Sequence, residues 1–332
     1  MARKKGDLPP ETKCSRREFI TRVGSAGAVA AGVSGLAIGL HGRDPDRALA
    51  PIKLPDYRVE DLPGRPRIVA AEGASPLIML QRCFERMGGL GHFIEPGDRV
   101  IVKPNIGFAT PPALGATTNP EVVAVVTRLC LAQGAEEVIV MDNPIHDPAR
   151  CLAISGIEAA ATAAGARVVL PRSRAFRDVE VPDGVVLKRW SFFYEPFERA
   201  TKVIGLPAAK HHSLSGVTLG MKNWYGLLGG RRNTLHQDIH MSVADLATLV
   251  RPTLTILDAT RVLFRHGPTG GSPSDVRMDG IVAVATDPVA LDSYGAEVVT
   301  PYGDDLPFLK EAERRGLGTT DPWDAGFEMI SL

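Results

Sequence analysis

From residue 67 onward the chain alternates short apolar runs with amphipathic stretches, and that alternation restricts the fold more than any other feature of the sequence. Residues 67–71 are an apolar run and 76–87 carry a helical period. Residues 99–102 form a second run, ending at Lys103-Pro104-Asn105. Residues 120–133 read as a helix with Asn119 as N-cap and Pro120 at the first helical position, where the missing N–H costs nothing. Residues 137–141 are a strand ending at Asp142, 148–164 an Ala-rich helix closed by Gly165, and 167–170 a further strand. Strand, helix, strand, helix predicts an α/β fold: a mostly parallel sheet with helices on both faces.

Past residue 180 the rhythm loosens. Strands are predicted over 185–187, 202–206, 254–258 and 281–285. Helices are predicted over 234–250, 288–298 and 307–315, with loop plus helix over 213–228. Residues 67–332 therefore read as one α/β domain, with two lobes around a cleft, 67–200 and 201–332, as the alternative. Residues 51–66 hold Pro51, Pro55, Pro63 and Pro66 among charges and read as an extended linker.

Residues 1–50 are of another kind. Lys4, Lys5, Lys13, Arg16, Arg17 and Arg22 make a basic start, residues 23–40 carry no charge, and Ala48-Leu49-Ala50 has small residues where a signal peptidase inspects the chain. Ser15-Arg16-Arg17-Glu18-Phe19-Ile20 resembles the twin-arginine export motif, with Thr21 where that motif often has Lys. The uncharged run is rich in Gly and Ala and falls short of the ~20 residues that span a bilayer. The expectation is export in the folded state by the twin-arginine machinery, to the periplasm or another extracytoplasmic space. No stable membrane span is expected after cleavage; an uncleaved signal would leave a membrane anchor. Folding before export suits a protein that acquires a cofactor first.

Composition removes some function classes. Lys+Arg and Asp+Glu are equal at 38 each, and no basic tract occurs beyond the leader, so nucleic acid is not an expected partner. The cysteines are Cys14, Cys83, Cys130 and Cys151, without any Cys-x-x-Cys, so the chain offers no iron–sulfur cluster ligands. Cys83 and Cys130 read as small buried hydrophobes within helices. Trp190, Phe192, Phe193 and Tyr194 read as packing residues.

In open α/β sheets ligands bind beyond the carboxyl ends of the strands. Lys103 and Asn105 follow one predicted strand, Asp142 and Asn143 another, Asp258 and Arg261 a third, and Asp287 a fourth. Asn119-Pro120 and Asp287-Pro288 are also good helix starts. A turn needs no lysine, so Lys103 points to anion binding. The richest segment is 206–240, with Lys210-His211-His212, Gly216, Gly220-Met221-Lys222-Asn223, Gly229-Gly230, His236 and His240. Glycines let backbone approach a ligand, and imidazoles and lysines supply ligation, proton transfer or covalent attachment. His236 and His240 share a face if 234–250 is one helix, beside a stripe of Leu235, Ile239, Val243, Leu246 and Leu249; that spacing lets two imidazoles reach one metal. The Gly/Pro loop at 265–272 could hold an anion but lacks the Gly-Lys-Ser/Thr ending of a phosphate loop.

Lys103-Pro104-Asn105, Thr118-Asn119-Pro120, residues 210–230 and Asp287-Pro288-Val289-Ala290-Leu291-Asp292 resemble the family catalogued as domain of unknown function 362, over nearly all of the chain after residue 65. That family has no established activity. Its members often carry ferredoxin-like iron–sulfur modules, which implies an accessory role in an iron–sulfur redox system as one reading. A more distant stretch is similar to the nickel-pincer lactate racemases, which have a His and, ten positions on, a cofactor-binding Lys. Here His212 and Lys222 are ten apart with Gly216 and Gly220 between them. The likeness implies covalent cofactor attachment at Lys222, a downstream nickel ligand at His236 or His240, and racemase or epimerase chemistry on a 2-hydroxy acid.

Together these readings assign catalysis to His212 and Lys222, cofactor or anion binding to Lys103, Asn105, Lys210 and Asn223, and metal ligation to His211, His236 and His240. The expected cofactor is a divalent metal such as nickel, iron or zinc. The expected function is that of an exported metal- or cofactor-binding enzyme acting on a small anionic substrate. The rival is an extracytoplasmic binding protein that holds a small anion without chemistry. Both require these side chains to converge in space.

Overall fold

The computed structural model describes residues 50–300 and 306–332. The expected export signal lies outside the described residues except for Ala50. The described chain runs β1 (Ile68–Glu72), α1 (Pro76–Arg86), β2 (Arg99–Pro104), α2 (Pro120–Ala132), β3 (Glu137–Met141), α3 (Pro148–Ser155), α4 (Ile157–Ala163) and β4 (Arg167–Val169). A hairpin of β5 (Phe176–Glu180) and β6 (Arg189–Phe193) follows, then β7 (Lys202–Leu206), β8 (Ala208–His212), β9 (Gly216–Thr218), α5 (Gly220–Asn223) and α6 (Ile239–Leu249). It ends with β10 (Leu254–Leu263), β11 (Val276–Arg277), β12 (Ile281–Ala285), α7 (Pro288–Val299), α8 (Pro307–Arg314) and β13 (Glu328–Ser331).

The main sheet has the order β13-β1-β12-β10-β7-β2-β3-β4, with β8, β9 and β11 attached beside β10. It is mostly parallel: β2 pairs parallel with β3 and β7, β3 with β4, and β7 with β10, while β12 is antiparallel to both neighbours. The period-2 alternation of each strand builds two cores. Val100 and Val102 pack with Leu80 of α1, Val122 of α2 and Ile157 of α4 on one face. Ile101 faces the other way, among Met221 of α5, Val243 of α6, Leu291 of α7 and Phe308 of α8. Cys83 and Cys130 are buried as expected, and so are Phe192 and Phe193.

Four expectations are corrected. Gly156 at φ 72° divides the predicted helix 148–164 into α3 and α4, because the left-handed conformation ends a helix. Residues 185–187 are not a strand: the N–H groups of Val185, Val186 and Leu187 all donate to the Asp245 carboxylate, at 3.1, 2.8 and 2.7 Å. The predicted helix 234–250 breaks at Asp238 (φ −136°, ψ 67°), so a 3₁₀ stretch over Arg232–Asp238 precedes α6. Residues 51–66 are extended but bound, with Ile52 bridged to Val179, Asp56 bridged to Arg251, and Tyr57 buried. The alternative lobes 67–200 and 201–332 share one sheet, because β7 of the second lies against β2 of the first, and residues 51–332 form one compact unit.

The winding locates the place where a ligand would sit. From β2 the chain steps outward through β3 to β4, then returns to lay β7 on the opposite side of β2 and β10 beyond it. The direction of winding reverses between β2 and β7. At such a point the connections leave in opposite directions and open a crevice at the carboxyl ends of the strands.

Candidate functional site

Lys103 lies near the carboxyl end of β2 and is 1% exposed. Its Nζ pairs with Asp142 Oδ1, just past β3, at 2.9 Å. It also donates to Asn223 Oδ1 at 2.7 Å and Pro104 O at 3.1 Å. Asn223 Nδ2 returns a bond to Lys103 O at 2.9 Å, and Asp142 Oδ2 accepts from Ile106 N at 2.7 Å. Burial pushes the Lys103 ammonium below its ordinary pKa, and the Asp142 charge opposes that fall. Gly226 closes over this pair: a Cβ there would overlap Asp142 Oδ1 and lie 2.8 Å from Lys103 Nζ.

Strand β8 brings Lys210 and His212 to the same cavity, two residues apart as strand alternation requires. Lys210 Nζ donates to Asn105 Oδ1 at 3.0 Å and to Ala116 O at 2.7 Å, and lies 5.1 Å from the centre of the Phe108 ring. His212 Nδ1 accepts from Leu214 N at 3.2 Å and Ser215 N at 3.3 Å. Those two donors assign the proton of the neutral ring to Nε2. Burial, and then the charges of Lys222 and Lys210, push its pKa down to about 3, so the imidazole is neutral at physiological pH.

Lys222 and Asn223 are placed by Asp292 of α7, whose carboxylate accepts Gly220 N at 2.6 Å and Met221 N at 2.9 Å at the start of α5. Lys222 is held far more loosely than the other two lysines. Its Nζ has one long contact, 3.4 Å to Thr218 Oγ1, and lies 5.8 Å from the centre of the Tyr225 ring. Burial pushes Lys222 down to about 7. Burial, then the neighbouring charges of Lys222 and Lys103, push Lys210 down to about 7 as well.

His236 completes the wall. Tyr225 Oη donates a short hydrogen bond to Arg232 O and sits 3.0 Å from His236 Nδ1. The phenol has one proton and the carbonyl takes it, so His236 Nδ1–H is assigned as donor to Tyr225 Oη and Nε2 keeps its lone pair. The rings of His236 and His212 stack with centroids 6.0 Å apart. Burial and the Lys222 charge lower the His236 pKa.

The cavity so formed is small, about 80 Å³. Seven of the nine predicted side chains line it: Lys103, Asn105, Lys210, His212, Lys222, Asn223 and His236. His211 and His240 do not. His211 falls between two cavity-facing residues of a strand. His240 lies beyond the break at Asp238, and its ring stacks on Phe308 with centroids 5.9 Å apart. The sequence reading gave no role to Tyr225 or Arg232, which also line the cavity. The Arg232 guanidinium donates to Asn143 O and Pro144 O, both at 2.8 Å, and so ties the 3₁₀ stretch to the loop after β3.

The donor set does not fit the expected divalent metal. Among the described residues no three His, Cys, Asp or Glu side chains gather to hold an ion. Asp142 is engaged by Lys103, and the amines of Lys210 and Lys222 share the cavity with the two imidazoles. Larger hollows, of about 440 and 720 Å³, lie elsewhere and hold none of these lysines or histidines.

The family described as "Domain of unknown function (DUF362)" matches residues 100–297, a span that contains every residue lining the cavity. A thylakoid-associated protein of Synechocystis sp. (strain ATCC 27184 / PCC 6803 / Kazusa) is 29% identical over 258 residues, covering 75% of this chain and 78% of that protein. No helix among the described residues is long and apolar enough to cross a membrane.

Proposed function

The chain belongs to the domain of unknown function 362 family, and from the cavity within its matched region we propose that it is an enzyme that binds a small anionic substrate and moves a proton on it. One observation carries this reading. Lys210 and Lys222 are 1% and 8% exposed, both face the cavity, and neither pairs with a carboxylate among the described residues. A buried ammonium without a counter-charge is costly. An anion in the cavity supplies that counter-charge, and a space of about 80 Å³ suits a carboxylate or oxyanion of a few heavy atoms.

The imidazoles carry the reading from binding to chemistry. His212 presents an Nε2–H hydrogen-bond donor and His236 an Nε2 lone pair to one small space, which sets a group that stabilises negative charge beside one that accepts a proton. Lys210, fixed by two acceptors, holds the anion. His236 takes a proton from the bound molecule. We place this activity outside the cytoplasm, after export by the twin-arginine machinery. The leader motif supports that placement, and a thylakoid-associated relative is compatible with it.

Calorimetric titration with acetate, glycolate and phosphate tests the binding step. Saturable binding of at least one is expected, with at least a tenfold loss in Lys210→Met that keeps the wild-type circular dichroism spectrum. Absence of binding by all three defeats the proposal. Incubation with small 2-hydroxy and 2-oxo acids in deuterated water tests the chemistry: deuterium should enter the carbon next to the carboxylate or carbonyl, and His236→Gln should stop it. Binding without any such exchange would reduce the protein to an anion receptor.

A further inference from the structure

Three buried lysines meet in this cavity, and their surroundings divide the labour between them. Lys103 is locked to Asp142 at 2.9 Å and to Asn223 at 2.7 Å. Lys210 is fixed by Asn105 and Ala116 at 3.0 and 2.7 Å. Lys222 has only the 3.4 Å contact to Thr218 and otherwise faces the cavity, with aromatic Tyr225 below it and His212 and His236 beside it. An ammonium meant to stay charged would be given acceptors, as the other two are. An amine meant to attack needs its lone pair free and its position fixed. α5 fixes the position through the two hydrogen bonds to Asp292.

We propose that Lys222 is a nucleophile that forms an imine with the carbonyl carbon of a small 2-oxo acid whose carboxylate is held by Lys210. This deepens the anion-binding reading and rests on it. Nζ as free amine adds to the carbonyl carbon: the C–N bond forms, the carbonyl π bond breaks, and the oxygen takes a proton to give a carbinolamine. Nitrogen gives up that proton, and the hydroxyl then leaves as water with the second proton that nitrogen releases. In sum, an amine and a carbonyl become an imine and one water, with no electrons gained or lost. His212 Nε2–H is placed to hydrogen-bond to the oxygen as it gains negative charge, and keeps its own proton. The protonated imine draws electrons from the adjacent carbon, whose proton His236 Nε2 can remove. Two features support the free amine: the single long contact to Thr218 leaves the nitrogen's lone pair open to the cavity, and burial pushes Lys222 down to about 7. The cavity is small, and pyruvate is the smallest 2-oxo acid with hydrogen on the carbon beside its carbonyl; glyoxylate can form the imine but has no such proton to lose.

The full chain treated with glyoxylate or pyruvate and cyanoborohydride tests the idea, because reduction makes the imine a permanent secondary amine. Peptide mapping should place the adduct on Lys222 at a rate at least tenfold above that of exposed Lys53. Acetate, which shares the carboxylate but has no carbonyl, should compete it away. Lys222→Arg should abolish the adduct, and competition by acetate in the wild-type protein gives the answer independently of how that variant folds. Acetate binding without preferred labelling of Lys222 would overturn the imine and leave the anion site standing. Labelling of Lys222 that acetate does not affect would also overturn it. Failure of both binding and labelling would remove the anion site and the imine together.

Discussion

The Lys103–Asp142 pair shows how single residues are fixed by their neighbours here. Both partners are almost fully buried, so the pair is held in a medium where losing either charge leaves the other uncompensated. Asp142→Asn is therefore expected to lower stability by about 3–5 kcal/mol at neutral pH, read from the midpoint of urea unfolding. A loss below ~1 kcal/mol would mean that Lys103 is already neutral in the native protein. Gly226→Ala should produce a related defect, because its Cβ would occupy the space of Asp142 Oδ1. At this scale the sequence was readable where a residue type had no structural excuse. A lysine at a strand end, and lysines and histidines among glycines, pointed to the cavity before any geometry was known. It was misread where direction mattered. No strand is predicted over 208–212, so the alternation that turns His211 away from Lys210 and His212 enters only with β8. Asp142 was noticed only as a strand-end residue, since its partner lies 39 positions away in the chain and local pattern contains no such pairing.

Elements place the site, and short ones do more of this than long ones. Helix α5 has four residues and could not persist alone, since helix nucleation is costly and isolated helices this short are unstable in water. Asp292 compensates by accepting its first two N–H groups. Burial raises the Asp292 pKa to about 7, while those two donors pull the other way. Asp292→Ala would orphan both donors in the core, at about 1–3 kcal/mol each. The expected outcome is a lower melting temperature together with weaker acetate binding, because Lys222 and Asn223 lose their mount. A variant that melts early but binds acetate normally would show that α5 is positioned by packing instead. The strand and helix boundaries before residue 142 were legible within a residue or two, because each element has its own period and its own cap. The break at Asp238 was not. Residues 234–250 keep an apolar stripe throughout, and the stripe does not reveal that its first turns are 3₁₀. An unbroken helix would set His240 beside His236, whereas the break stacks its ring on Phe308.

At the scale of the whole molecule, the reversal of winding between β2 and β7 gathers positive charge into the crevice that it opens. A chain with equal numbers of acidic and basic residues carries no overall field to attract an anion, so attraction must be local. The fold supplies it by bringing Lys103 and Lys210 from strands on either side of the reversal and Lys222 from the helix above. The same concentration makes the free protein sensitive to pH in a definite direction. Lys210 and Lys222 sit near 7 when folded against an ordinary 10.5, so between those values the unfolded chain binds more protons than the native one. Stability of the free protein should consequently rise as pH climbs through that window, opposite to the trend for a lysine stabilised by an ion pair. Anion binding reverses the balance at Lys210, because the bound carboxylate favours its protonated form. Acetate affinity should be greatest below about pH 7 and fall above it, by up to about tenfold per pH unit for each lysine that must regain its proton. Calorimetry at about pH 8 in buffers of different ionisation enthalpy should register that proton uptake directly. Affinity independent of pH across the window would mean that both lysines remain charged without a ligand, and the crevice would then hold a counter-charge supplied by something other than the anion proposed here.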